Sequence, residues 1–394
     1  MSYDIRIWSI KRAELSEIFP SQDDWKIQNN SAYYQKKDWQ IIVSESAKVE
    51  NEDIEDDVSS LLSGIKYVTD ITLEPIHAPE TARALLDKVA KNIAKNSVGV
   101  VENLQDDTFS LPTGIKKFIP IKRENKQRFS IFEMSWWFND SPAVTEDLLE
   151  HVVDYFESKL PEALPRRYGL YEPPQFKYEE NGKQHFLQFL KEHIFDLGIV
   201  WYPTKPVMYV STGFIKEWGF IKHGAKNKFK TNNFSISFDS SLLSQPGWKE
   251  HLANVFEDMS KILQPFYGEV RTLHNFISGK GTYFSDMQTE SHPVQGPWWT
   301  GIPQELGQAI VLGKPYLDLW QQIKEKGEVK NDLCFISTLD WEREESVSSF
   351  VGSVPKDLAQ LKIPKYVEVL GGGKTMDYND EYPANFPFKK KVEK

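Results

Sequence analysis

The order of elements along this chain constrains its fold more than any single motif does. An alternating apolar segment, an amphipathic stretch and a glycine-bearing extended segment follow one another three times. GIKYVTDITLEP (Gly64–Pro75) alternates like a half-buried strand. The stretch from Pro79 to Asn96 then places Ala82, Leu85, Leu86, Val89 and Ile93 at helical spacing, with Pro79 near the start and Glu80 in the first turn. SVGVVENLQ follows as a strand. In the second instance FSIFEMSWWFND (Phe129–Asp140) leads to a helix over Ser141–Leu160, with Ser141 as N-cap and Pro142 at N1, and then to RRYGLYEPP. In the third, NFSISFDSSLL (Asn233–Leu243) leads to a helix through QPGWKEHLANVFEDMSKILQ and then to PFYGEVRTL.

The three helices start about 60 and about 105 residues apart, too irregular for a solenoid. The spacing predicts an α+β fold of mostly antiparallel sheets with helices on one face, built from a duplicated β-β-β-α-β unit. The second copy runs from about Val200 through VMYVSTGF and NFSISFDSS to EVRTL, and mirrors Trp39 to Leu104. SYDIRIWSI, WQIIVSESAKVE and QAIVLG (Ile310–Leu312 within it) read as further strands, and ENEDIEDDVSS as a solvated loop or helix start. The polar stretch Gln105–Phe129 separates an N-terminal α+β unit, 1–125, from a C-terminal one, 126–394. From Thr282 onward the Pro- and Gly-rich chain reads as long loops packed over the scaffold.

Charge and composition exclude several classes. The chain is 394 residues long with a net charge of −10. It repels phosphate backbones, so nucleic acid is not an expected partner, and a partner with a basic surface is. One cysteine, Cys334, allows no intramolecular disulfide and points to a reducing compartment. No secretory signal and no stretch of 18 apolar residues is present, so a cytoplasmic protein without a membrane partner is expected.

The chemical motifs fail on inspection. VEVLGGGKTMDYN (Val367–Asn379) has Glu368 where a phosphate loop needs its first glycine, and a poor helix former after Lys374. The eight histidines form no zinc-binding pattern; His185 and His193, eight apart, share a helix face but stand too far apart for one metal. There is no G-x-S-x-G, and Cys334 sits in the apolar run DLCFIST, where a buried inert thiol is the ordinary case. No cofactor, metal or catalytic residue is therefore assigned.

What stands out is the aromatic inventory of 12 Trp, 16 Tyr and 24 Phe. Trp136 and Trp137 are adjacent in a strand, so they point to opposite faces and require the second face of the sheet to be covered or used. Trp298 and Trp299, beside Pro297 and a Gly-Ile-Pro turn, suit either packing or an interface rim. Tyr316 and Trp320 close the same segment. Arg166 and Arg167, after a helix and before Gly169, suit bidentate capture of an anion or ion pairing with Glu162 or Glu172. The candidate interface is Trp298, Trp299, Arg166, Arg167, Tyr168, Glu172, Tyr316 and Trp320.

A helix ending in FYGEVRT and followed by WWTGIPQELGQAIVLG resembles the C-terminal halves of bacterial immunity proteins, the antitoxins of polymorphic and type VI secreted toxins, over Phe234 to Trp320. The resemblance implies an acidic, non-enzymatic α+β protein that binds and neutralises a toxin. RRYGLYEPPQ has no counterpart in it. Two other readings stay open: an enzyme with a loop-built site, and a structural part of a phage or secretion assembly.

Overall fold

The computed structural model describes residues 2–388 apart from 20–23, 29, 52, 114–116, 123–127, 140–145, 172, 196–198, 224–225, 279–282, 285–287, 295, 339, 363–364, 369–373 and 378–380. The chain divides into two compact units, Met1–Lys126 with Glu368–Gly373, and Gln127–Val367 with Lys374–Lys394.

The first unit is a sheet of β1 (Tyr3–Ser9), β2 (Trp25–Gln28), β3 (Ser31–Gln35), β4 (Gln40–Val43), β5 (Ala47–Lys48), β6 (Tyr67–Glu74), β7 (Gly99–Asn103), β8 (Thr108–Thr113) and β9 (Lys117–Lys122). Its spatial order is β2-β3-β4-β6-β1-β7-β8-β9, with β5 also on β6. β1 lies between β6 and β7 and is antiparallel to both, with Ile5 opposite Ile71 on one side and Asn103 on the other. β6 and β7 therefore run parallel, and the long helix between them is a crossover.

Two short helices, α1 (Leu15–Ile18) and α2 (Asp56–Leu61), precede that crossover helix, α3 (Glu80–Ser97). Ala82, Leu86, Val89, Ala90 and Ile93 recur at three- and four-residue spacing and bury one face of α3 on Ile5, Ile7, Ile71 and Leu73. The opposite face of the sheet carries Trp8, Val68, Val100 and Phe109, covered by Ile54 and by Val58 of α2. The acidic run is thus a helix start: Asp56 and Asp57 occupy the first turn of α2, where carboxylates suit the helix dipole.

The second unit repeats the plan. Its sheet has the order β14-β17-β10-β18-β20-β22-β21, built from β10 (Arg128–Phe138), β14 (Val207–Gly213), β17 (Asn232–Asp239), β18 (Tyr267–Ser278), β20 (Ala309–Leu312), β21 (Glu328–Lys330) and β22 (Leu333–Ser337), with β19 (Tyr283–Phe284) on β18. β10 lies between β17 and β18, antiparallel to each, and α6 (Trp248–Leu263) crosses from β17 to β18. Chain order β1, β4, β6, α3, β7 thus matches β10, β14, β17, α6, β18. The α+β fold of antiparallel sheets is present, and a β-β-β-α-β unit recurs, but each copy includes a central strand, Tyr3–Ser9 or Arg128–Phe138, that lies before the expected starts at Trp39 and Val200.

Local details repeat too. Each crossover helix ends on a left-handed residue that is not glycine, Val98 (φ 55°) and Gln264 (φ 47°). A glycine then allows the next strand to approach the central one closely. A Cβ at Gly99 would stand 2.8 Å from Trp8 O, and one at Gly268 2.7 Å from Trp136 Cδ1.

The second expected instance, through FSIFEMSWWFND and RRYGLYE, is not a copy. Its helix, α4 (Glu146–Lys159), leads out of the main sheet to a separate three-stranded one, β12-β11-β13, made of β11 (Arg167–Gly169), β12 (Phe176–Lys177) and β13 (Val200–Tyr202). α5 (Tyr178–His193) follows β12 directly. The expected cap Ser141-Pro142 lies outside the described residues. A two-stranded sheet of β15 (Gly219–His223) and β16 (Lys226–Lys230) completes the insertions.

Trp136 and Trp137 do face opposite sides, and both sides are covered. Trp136 stacks on Phe256 of α6 at 5.6 Å and its indole donates to Ser260 Oγ at 2.9 Å. Trp137 lies under the segment that follows β18, donating to Gly296 O at 2.9 Å and packing on Trp299 at 5.6 Å. That segment carries α7 (Tyr316–Leu319) and α8 (Ser348–Val351).

Trp299 exposes no surface. It fills the space between Trp137, Phe266 and Tyr267 and donates to Tyr316 Oη at 2.8 Å. Truncating an indole in such a site removes its transfer energy and leaves a cavity. Trp299→Ala is expected to cost about 3–5 kcal/mol in denaturant unfolding; a loss below about 1 kcal/mol would contradict this packing.

Candidate functional site

Of the expected interface residues, the structure turns most inward. Trp299 and Tyr316 expose nothing and Trp320 is buried, so they form core under the second sheet rather than a rim. Trp298 is half-buried, with Lys228 and Lys230 Nζ at 5.6 and 5.3 Å from its ring. Arg166 donates to Pro203 O at 3.2 Å and lies 5.8 Å over the Tyr202 ring. Arg167 is only 7% exposed and donates to Pro174 O at 2.6 Å. β11 is covered on both faces, so Arg167, Tyr168 and Gly169 are all buried, which leaves the Arg167 guanidinium and the Tyr168 phenol as internal ties. Glu172 lies outside the described residues.

The same element brings other residues to the surface. Leu170 and Tyr171, immediately after β11, are 39% and 63% exposed. Besides the Arg167 bond to Pro174 O, Gln175 fastens their loop: its Oε1 accepts from Leu170 N at 2.8 Å, and its Nε2 donates to Tyr171 O at 2.7 Å and Pro173 O at 3.0 Å. Gly169 is required there, because a Cβ would overlap the Gln175 carboxamide.

Beside the loop, His185, Phe189 and His193 recur every fourth residue of α5 and form a stripe, as the eight-residue spacing of the histidines predicts. Phe176 packs on His185 at 4.9 Å and on Phe189 at 5.8 Å. Tyr168 supports the stripe from beneath, its Oη 2.7 Å from His185 Nδ1; burial pushes its phenol up to about 12. Loop and stripe line an apolar groove of about 320 Å³, together with Gln188 and Glu192.

Two other constellations were invisible in the sequence because their members are far apart along it. On β18, Glu269 is wholly buried. Tyr267 Oη, Arg271 Nη2 and Gly307 N donate to its Oε2 at 3.1, 2.9 and 3.1 Å. Its Oε1 lies 2.9 Å from His292 Nε2, close enough for charge attraction but not aligned as a hydrogen bond. Burial alone would raise this carboxyl; Arg271 and His292 outweigh it and hold the group at about 2. Trp137 covers His292 at 5.3 Å. A carboxylate sealed this way suits a structural tie, since no substrate reaches it.

The other is exposed. Ser130 Oγ lies 2.8 Å from His274 Nδ1, and His274 Nε2 lies 3.1 Å from Glu344 Oε2. The pairing of β10 with β18 shifts register at this point, and Asn275 is left-handed (φ 66°). Ser130 and His274 line an open depression of about 550 Å³ with Arg128 and Glu290. Nucleophile, base and acid are in order, but His274 and Glu344 are each more than two-fifths exposed. A hydrolytic relay gains its power from fixed dipoles in a water-poor site.

Cys334 is buried on β22, and burial pushes its thiol up. Lys374–Asp377, after the glycine run, is a strand (β24, following β23 at Lys365–Glu368) where a phosphate loop needs a helix. Among the described residues no three His, Cys, Asp or Glu side chains are placed to hold a metal ion. Among them, too, no helix is long and apolar enough to cross a membrane.

Comparison with known proteins gives little beyond this. No family model matches the chain, and no curated protein matches it. Among solved structures, Pseudomonas aeruginosa T6SS protein PA0821 is similar at a TM-score of 0.34 and 12% identity, over 55% of this chain and 67% of that one. A likeness of that size carries no argument about function.

The Glu269 tie has a consequence for acid stability. Its folded value of about 2 lies below the ordinary 4.5, so its contribution is complete above about pH 5 and is lost as the pH falls through about 2. The difference is worth roughly 3 kcal/mol. Wild-type stability is expected to fall across that window, and Glu269→Gln to be less stable at neutral pH with a flatter acid limb. Parallel limbs in urea melts from pH 7 to pH 2 would remove Glu269 as the titrating group.

Proposed function

We propose that this chain is a non-enzymatic binding protein of the immunity type, which neutralises a toxin by occluding it, and that the groove between the Leu170–Gln175 loop and α5 belongs to its contact surface. The observation that carries this reading is Tyr171. It is a large aromatic, 63% exposed, on a loop fastened by Gln175 and beside an apolar groove. Pre-organised aromatics next to a pocket are what binding hot spots are made of. The net charge of −10 supports a partner with a basic face, which such a surface attracts and orients. The sequence resemblance to immunity proteins supports the same class.

One observation favours the enzyme reading, the Ser130–His274–Glu344 relay. The two readings separate cleanly. Affinity capture of the tagged chain from its native cell, at low and high salt, is expected to yield one stoichiometric basic protein. That protein should be toxic when expressed alone and harmless beside this chain. Tyr171→Ala is expected to weaken the complex by 2 kcal/mol or more, about thirtyfold, with unfolding unchanged. Covalent labelling of Ser130 by a fluorophosphonate, or a captured partner whose toxicity this chain does not alter, would overturn the binding reading.

A further inference from the structure

We infer that the groove at α5 receives an arginine side chain of the protein partner. The inference rests on the binding reading above and names the chemistry of its anchor. The walls of the groove are flat π-surfaces: Tyr171 on the loop, Phe176 and His185 in mutual contact at 4.9 Å, and Phe189 with His193, also at 4.9 Å. His185 to His193 spans two helical turns, about 12 Å, so the groove is elongated rather than a round pit. An aliphatic or aromatic anchor would fill such walls equally well.

A carboxylate in the lining decides between them. Glu192 lies on the lining with its side chain 56% exposed, and its oxygens are already oriented. Gln188 Nε2 donates to Oε1 at 2.5 Å, and His193 Nε2 stands 3.9 Å from Oε2. The nearest lysine along the helix, Lys191, lines a separate depression with Gln184 and Leu187. The groove therefore offers stacking faces and a carboxylate together in its lining.

A guanidinium matches both parts. It is planar, weakly hydrated and stacks on aromatic faces, and its fork suits a carboxylate. A lysine ammonium is compact and strongly hydrated, so it loses more on entering an apolar groove. Arginine is also among the residues enriched at interface hot spots. The overall acidity brings a basic surface to the groove, and the groove then selects arginine over lysine.

The test uses the full chain and a defined probe, the blocked peptide Gly-Ser-Arg-Ser-Gly, beside the same peptide with citrulline or lysine in place of arginine. Binding is read at about pH 8, where imidazole is ordinarily neutral, from the Hε1 resonances of His185 and His193, assigned with His185→Gln and His193→Gln. The arginine peptide is expected to shift these signals with a dissociation constant on the order of millimolar. Citrulline and lysine peptides should bind about tenfold more weakly. Tyr171→Ala and Glu192→Gln should each remove the preference for arginine. Equal binding of the citrulline peptide, an arginine preference that persists in Tyr171→Ala, or no shift at tens of millimolar probe would each overturn the inference. The two proposals fail separately. Arginine selectivity with no partner captured sinks the immunity reading alone. A partner lost on Tyr171→Ala, with a groove indifferent to charge, sinks the arginine alone.

Discussion

Glu269 is the interaction on which the second unit depends. A carboxylate with no exposed surface costs several kcal/mol in lost hydration, and is tolerated only if its oxygens are met. β18 supplies Tyr267 and Arg271 itself, but the other contacts come from chain that must fold back over the sheet. Those are the backbone N–H of Gly307 and the ring of His292. The same stitching continues alongside, where Arg271 donates to Glu305 O at 2.6 Å and Gln308 bonds both the backbone and the hydroxyl of Thr272. The long segment after β18 is therefore not free to lie elsewhere. Its placement in turn closes the face that Trp137 presents.

The first unit solves a related problem with less chain. Glu102 is also buried, on the strand that follows the crossover helix and on the face turned away from it. Its partner is the indole of Trp8, which donates at 2.7 Å from the central strand. Both units thus carry a buried acid in corresponding strands, pinned by groups of the sheet's second face. In the first unit a short segment around α2 is enough to cover it. In the second the cover is a whole loop-rich segment, which seals Trp137 and a charged cluster.

Local periodicity made the repeated unit legible, and the limits of periodicity explain the errors. α3 and α6 were readable because their apolar residues recur at helical spacing against a sheet that periodicity also reveals. The adjacent Trp136 and Trp137 required a two-sided sheet by alternation alone. RRYGLYE passed as a third copy because strand–helix–strand order says nothing about which sheet the last strand joins; that is fixed by long-range pairing of Arg167 with Tyr202. Of Arg166, Arg167 and Tyr168, the structure half-buries the first and buries the other two. Residue type suggested anion capture, whereas burial along β11 depends on a sheet assembled from distant segments. The one local sign that the loop beyond it is specially built was Gly169, ahead of two prolines. Ser130–His274 and Glu269–His292 left no local sign, since each is made by pairing across the fold.

Burial also narrows where recognition can reside. An inventory of 12 Trp, 16 Tyr and 24 Phe looks like a binding surface when read as composition. Most of its largest members, Trp136, Trp137, Trp299, Tyr267 and Tyr316 among them, close the two faces of one sheet. Side chains so placed cannot vary with a partner without unsettling the core. The chain from α4 to β13 is different. It is inserted between β10 and β14, where the first unit has the short α1 and the β2–β3 hairpin between its corresponding strands. An insertion of that kind can change its loop and helix face while the duplicated scaffold stays fixed. Tyr171 and the α5 groove lie on it, exposed, with their loop fastened by Gln175 and Arg167.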